Sequence, residues 1–246
     1  MSNTLPQPPH KTDRKKDLKR EQLVIAAIEV FSKKGFHAAK MQEIADAADV
    51  GKGTIYEYFK TKDELFLAVY DSWMDAFEAA MHRASDDALD PLSKADAIIE
   101  TAILFYEKHS AHAGILLEFW AHALRSDDPH FLSRIREMKS VVGEIGARVT
   151  KQLVGLKAFV DVDVPSFTRL ELGISDGIFL QWVLDGQTYS LRDAYKFRQS
   201  VIGNGLMNAP LRKLLSPKTM PRLKKGFYTP SVSPKKSSEA TNTKRR

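Results

Sequence analysis

The sequence contains no cysteine. That absence excludes disulfides and thiolate metal sites, and it suits a reducing compartment. No apolar run approaches the roughly 20 residues that a bilayer-spanning helix needs, and the polar N-terminus holds no apolar signal core. A cytoplasmic chain with no membrane association is the expectation. HExxH zinc pairs, Gly-rich phosphate loops and nucleophile elbows are all missing. His109 and His112 stand three apart, and Glu118 and His122 four apart, so each pair could face one metal. Spacing fixes no third ligand, and solvated or capping histidines account better for them. We therefore expect no metal, no cofactor and no enzymatic activity. A metal-dependent enzyme on a helical bundle is the alternative from another class.

Strands are missing too, since no stretch alternates at period two for any length. Helical signals fill the chain instead. It has 246 residues, 43% of them hydrophobic, enough for one large or two modest cores. The net charge of +6 is unevenly placed: residues 1–20 carry +4, residues 212–246 carry +10, and the body between them is at −8. Basicity thus belongs to the two ends, and any cation that acts on a partner from the body must act by position. The boundaries read as a disordered basic arm (1–16), a first helical unit (17–64), a larger helical unit (65–211) and a disordered basic tail (212–246).

The most informative stretch is Met41 to Lys62. Ile44, Ala45 and Ala48 share one helical face, and Ile55 and Phe59 share another. Ala48-Asp49-Val50-Gly51 between them suits a tight turn. This is a helix-turn-helix pattern, whose second helix enters the major groove of DNA. Burying Ile55 and Phe59 leaves Lys52, Gly53, Thr54, Tyr56 and Tyr58 for the outward face. Lysine neutralises phosphate, hydroxyls bond phosphate oxygens or base edges, and glycine permits close approach. Two bundle helices with a polar surface are the plain alternative. Helix 1, about 17–34, buries Leu23, Ala27, Ile28 and Phe31, and Gly35 follows as a left-handed cap. Thr61 and Glu64 have capping-box spacing at the start of helix 4, where Leu65, Val69, Trp73 and Phe77 follow at intervals of four. Asp90-Pro91 and Asp128-Pro129 open helices 5 and 7, Pro165 opens helix 8, and Ser190 with Asp193 caps helix 9. The fold class is all-α, with about nine helices.

Ala26-Ala27, Phe31, Lys34-Gly35-Phe36, Ile44-Ala45, Ala47-Ala48, Val50, Lys52-Gly53-Thr54-Ile55-Tyr56, Tyr58-Phe59, Lys62 and Leu65 together resemble the N-terminal domain of the TetR family of bacterial transcriptional regulators. Asp49 departs from the usual turn glycine and Gly51 from the usual capping serine. The resemblance implies a homodimeric regulator of double-stranded DNA with a palindromic operator, acting as a repressor released by a small-molecule effector. A regulator gated by a protein partner is the other possibility. Lys40, Lys52, Tyr56 and Lys62 are the expected phosphate contacts, with Tyr58 beside them and Gly53 and Thr54 nearest the bases. Residues 116–125 and 176–182 resemble, more loosely, a C-terminal domain type of that family, which implies an effector cavity among helices 4 to 8. Its candidate walls are Trp73, Phe77, Phe105, Phe119, Trp120 and Trp182, with Glu118 and His122 as polar anchors. Helices 8 and 9 are the implied dimer interface, through Gly173, Gly177, Leu180, Leu184 and Val201.

Overall fold

The computed structural model describes residues 11–206, and the side chains of residues 14–206. The arm residues 1–10 and the basic tail 212–246 lie outside the described residues, and so do the expectations placed on them. Nine α-helices follow one another among the described residues: α1 (Lys11–Ala38), α2 (Met41–Ala47), α3 (Lys52–Tyr58), α4 (Lys62–Asp87), α5 (Pro91–Lys108), α6 (Ala113–Ala123), α7 (Pro129–Gly155), α8 (Val164–Leu184) and α9 (Leu191–Leu206). No strand forms among the described residues.

Local chemistry sets the helix starts. Asp90, Asp128 and Asp163 each stand at an N-cap, where the carboxylate accepts backbone N–H bonds, and a proline occupies the first or second helical position after each. All three carboxyls are held below the usual range, Asp90 and Asp163 first by the hydroxyls of Ser93 and Ser166 and then by these backbone bonds, Asp128 first by the His130 backbone N–H. Thr61 Oγ1 accepts the Glu64 N–H at 3.0 Å, while Glu64 Oε2 reaches back to the Lys60 N–H at 2.6 Å, one residue short of a reciprocal capping box. Two boundaries differ from expectation. α1 starts at Lys11, six residues before the anticipated Asp17, so part of the basic arm is helical. It also continues as a helix past Gly35 to Ala38, across a kink at which Gly35 has φ 76° and ψ 160°. Glycine is there for its positive φ, as the sequence suggests, but the conformation is an extended one reserved for glycine, not a left-handed cap.

The helices share one core. Leu23, Ala27 and Phe31 of α1 meet Ile44 and Ala45 of α2, Ile55 of α3, and Leu65, Phe66 and Val69 of α4; the same cluster runs on through Phe119 and Phe131 to Phe179 and Tyr195. α4 spans the molecule, packed on α1 at one end and on α5 and α7 along the rest. Arg134 fastens α7 to α4 through Asp71 at 2.6 Å and Asp75 at 3.0 Å. Arg192 fastens α9 to α5 through Glu100 at 2.5 Å and Glu107 at 3.2 Å. No described helix is long and apolar enough to cross a membrane.

Candidate nucleic-acid interface and effector cavity

α2, the turn and α3 form the anticipated helix-turn-helix. Asp49 adopts φ 50°, the left-handed conformation that the turn demands and that aspartate tolerates. The Val50 N–H bonds the Ala45 carbonyl at 3.0 Å, closing the turn over a residue with no side chain beyond Cβ. Gly51 is the N-cap of α3, and its carbonyl accepts the Thr54 N–H at 2.9 Å. With Ile55 and Phe59 buried, Lys52, Gly53 and Tyr56 are exposed, Thr54 is half-buried, and Lys40 is exposed at the start of α2. Tyr58 is half-buried against the core.

Lys62 behaves differently from its expected role as a phosphate contact. Its ammonium turns inward and donates to the carbonyls of Phe36 at 2.6 Å, His37 at 3.0 Å and Ala39 at 3.0 Å. A lysine has three donors, so all are engaged at the end of α1. The ammonium also lies 4.6 Å from the centroid of the Phe36 ring.

Behind this head, α4, α5, α7, α8 and α9 enclose a cavity of about 420 Å³, which α6 closes with Leu116 and Trp120. That volume is within the range of small-molecule sites. The wall from α4 and α5 is apolar apart from Asp96 and the hydroxyls of Tyr70 and Tyr106, with Met74, Phe77, Met81, Ile98 and Phe105 prominent. The opposite wall carries polar groups from α7, α8 and α9. Lys139 pairs with Asp176 and lies 5.0 Å from the Trp120 ring. Glu171 pairs with Arg198, which is 8% exposed. Burial pulls the Arg198 guanidinium down to about 10 and pushes the Tyr70 hydroxyl up to about 12, the latter partly offset by the Trp120 indole beside it.

Of the eight anticipated cavity residues, Phe77, Phe105 and Trp120 line the space; Trp73, Glu118, Phe119, His122 and Trp182 do not. Phe119 stacks on Tyr70 with ring centroids 3.9 Å apart. The Trp182 indole donates to the Tyr189 carbonyl at 3.0 Å, and Trp73 faces His109 at 5.3 Å. Glu118 and His122 sit on the side of α6 turned away from the cavity, toward the head. Glu118 Oε2 accepts the Phe36 N–H at 2.9 Å. His122 Nε2 lies 3.0 Å from Asp63 Oδ1, and its ring packs on Phe36 and Phe131 at 4.7 and 4.6 Å. Their four-residue spacing does mark one face of a helix, but that face binds protein. Among the described residues, no cluster of three or more potential metal ligands forms.

Thr168, Glu171 and Arg198 are cavity residues that the sequence reading missed. A signal existed for the last: Leu191, Ala194, Tyr195 and Arg198 form a buried stripe at spacings of three and four, and a charge in such a stripe demands a partner.

On α8, Leu170 is 56% exposed. It joins Gly173, Gly177, Leu180 and Leu184 on one open face, and Val201 of α9 is also exposed. A Cβ placed on Gly173 or Gly177 would meet nothing within 4 Å.

A helix-turn-helix that exposes Lys52 and Tyr56, held by a helical body with a largely apolar cavity, is the architecture of a helix-turn-helix transcriptional regulator. Residues 23–69, which hold the helix-turn-helix, match the family described as "Bacterial regulatory proteins, tetR family". The chain is 38% identical over 103 residues to the HTH-type transcriptional activator FasR of Mycolicibacterium smegmatis, a match covering 42% of this chain and 47% of that one, under half its length. It is 26% identical over 181 residues to the fatty acid metabolism regulator protein of Bacillus subtilis, covering 72% and 90% of the two chains. The fold resembles the crystal structure of the Bacillus subtilis transcriptional regulator FadR in complex with stearoyl-CoA, with a TM-score of 0.62, 23% identity, and coverage of 75% and 96%.

Proposed function

We propose that this regulator is a homodimeric repressor that a long-chain acyl thioester releases from a palindromic operator. The observation that carries this reading is the position of α6. One side of that helix closes the cavity through Leu116 and Trp120. The other holds the reading head through Glu118 and His122. A ligand that displaces the first pair moves the second, so effector and operator favour different arrangements and weaken each other's binding reciprocally.

Lys40, Lys52 and Tyr56 take phosphates, with Gly53 and Thr54 nearest the base edges and Tyr58 bracing α3. The open apolar face of α8 with Val201 takes a second copy of the chain. Two heads related by a two-fold axis then read inverted half-sites about 34–36 Å apart or a multiple of that. The largely apolar cavity, and the names of the two Bacillus subtilis proteins, favour an acyl chain as the effector.

The test is to select duplexes from a random pool and titrate the winner with the protein, with and without stearoyl-CoA. An inverted-repeat site whose affinity falls at least tenfold with the thioester is the expected result. Retention of full affinity at saturating thioester would remove the effector class. Binding without preference over scrambled DNA would remove the regulator reading itself.

A further inference from the structure

Most polar groups along the cavity are matched within the protein. Gln199 Nε2 donates to Asp96 Oδ1 at 2.7 Å, the Thr150 hydroxyl to the Gly146 carbonyl at 2.9 Å, and the Tyr195 hydroxyl to the Ser175 carbonyl at 3.3 Å. Lys139 is paired with Asp176. Two places are left unmatched: the Trp120 indole N–H, buried with no hydrogen-bond partner among the described residues, and one cluster of several such atoms. Arg198 and Glu171 pair through Nη2 and Oε2, yet Arg198 Nε, Glu171 Oε1 and Thr168 Oγ1 are buried with no hydrogen-bond partner among the described residues. All three residues line the cavity. A buried donor or acceptor left unmade costs about 1–3 kcal/mol, more when charged, and native proteins leave few such groups without a reason.

The vacant positions are one N–H donor on a cation, one acceptor on a carboxylate, and a hydroxyl able to do either. The cavity wall as a whole holds three carboxylates (Asp96, Glu171 and Asp176) against two cations (Lys139 and Arg198). An added carboxylate would find the Arg198 charge already compensated by Glu171 and would face that carboxylate directly. A neutral group that accepts from Arg198 and donates to Glu171 satisfies both.

We propose that Thr168, Glu171 and Arg198 form a recognition site for a neutral polar group of the effector that both donates and accepts a hydrogen bond, a hydroxyl or an amide, and that the site rejects a free carboxylate. This rests on the cavity being the effector site. It specifies the effector further: the thioester carbonyl only accepts, so the group held here is a hydroxyl or amide carried elsewhere on the same molecule.

The experiment titrates the full-length protein with dodecan-1-ol, dodecanamide, methyl dodecanoate and dodecanoate at pH 7, by calorimetry. The alcohol and the amide separate the two sources of the chemistry, the ester accepts only, and the acid is charged. The alcohol or the amide is expected to bind at least tenfold more tightly than both dodecanoate and the ester. The double variant E171L/R198M, which replaces a buried ion pair by apolar side chains of similar size and therefore folds, should erase that preference while still binding the ester. T168V should reduce it in part. Equal affinity for all four, a preference for dodecanoate, no binding by any probe, or a preference that survives in the double variant overturns the inference. If stearoyl-CoA releases the operator while the four probes are not discriminated, the induction reading stands and this one fails.

Discussion

Glu118 on α6 accepts a hydrogen bond from the Phe36 N–H at 2.9 Å, across 82 residues of chain. The bond falls at the kink after Gly35, where α1 turns toward the helix-turn-helix. Replacing Glu118 by Ala should leave the Phe36 N–H without this partner and cost about 1–3 kcal/mol of stability. It should also shrink the change in operator affinity that effector causes, while affinity in the absence of effector changes less. Glu118→Gln keeps an acceptor and should fall between. DNA titrations with and without effector check this; an undiminished effector response in Glu118→Ala would show that the bond transmits nothing.

Gly35 has no substitute. Its φ of 76° and ψ of 160° lie in a region L side chains rarely enter, and a Cβ there would stand 3.3 Å from Glu118 Oε1. Gly35→Ala should lower stability by about 1–3 kcal/mol, read as a fall in melting temperature, with a smaller loss when Glu118→Ala is combined with it.

Lys52 and Lys62, ten residues apart, should give opposite phenotypes. Lys52→Ala should reduce the salt dependence of operator binding by about 1 in slope and leave the melting temperature alone. Lys62→Met should leave the slope alone and lower the melting temperature, because three carbonyls lose their donor. Parallel salt titrations and thermal melts separate the two.

The open face of α8 yields a test of assembly. Leu180 and Leu184 are 39% and 67% exposed in one subunit. Leu180→Glu with Leu184→Glu should give a folded monomer by analytical ultracentrifugation, with operator affinity reduced more than tenfold. A dimer that persists would place the interface elsewhere.

The three capping aspartates set an acid limb. Asp90, Asp128 and Asp163 have folded-state values below the unfolded one near 3.8. Their contribution is therefore complete above about pH 4 and is lost as pH falls through the lower folded values. A D90N/D128N/D163N variant keeps capping groups that do not titrate. Its melting temperature should decline less steeply below pH 4 than that of the parent.

The fold was largely legible because its signals are local. Asp90-Pro91, Asp128-Pro129 and the turn around Asp49 are each decided within a few residues, and the interval-of-four stripes of α3 and α4 name their own buried faces. The site was less legible because it depends on which face of a helix meets which neighbour. Glu118 and His122 share a helical face, but sequence does not say whether that face meets ligand or protein. Trp73, Phe119 and Trp182 are aromatic in either case. Lys62 matched the motif while its ammonium served the backbone, and only three-dimensional proximity to Phe36, His37 and Ala39 reveals it.

The inward-turned ammonium of Lys62 has a mechanical consequence. By clasping the last carbonyls of the first helix from the first turn of the fourth, it fuses the small N-terminal bundle into a single solid. The recognition helix sits between the two elements that this ammonium ties together. If two copies read one duplex as proposed, a change in the spacing of their recognition helices is expected to carry the start of α4 and the end of α1 together.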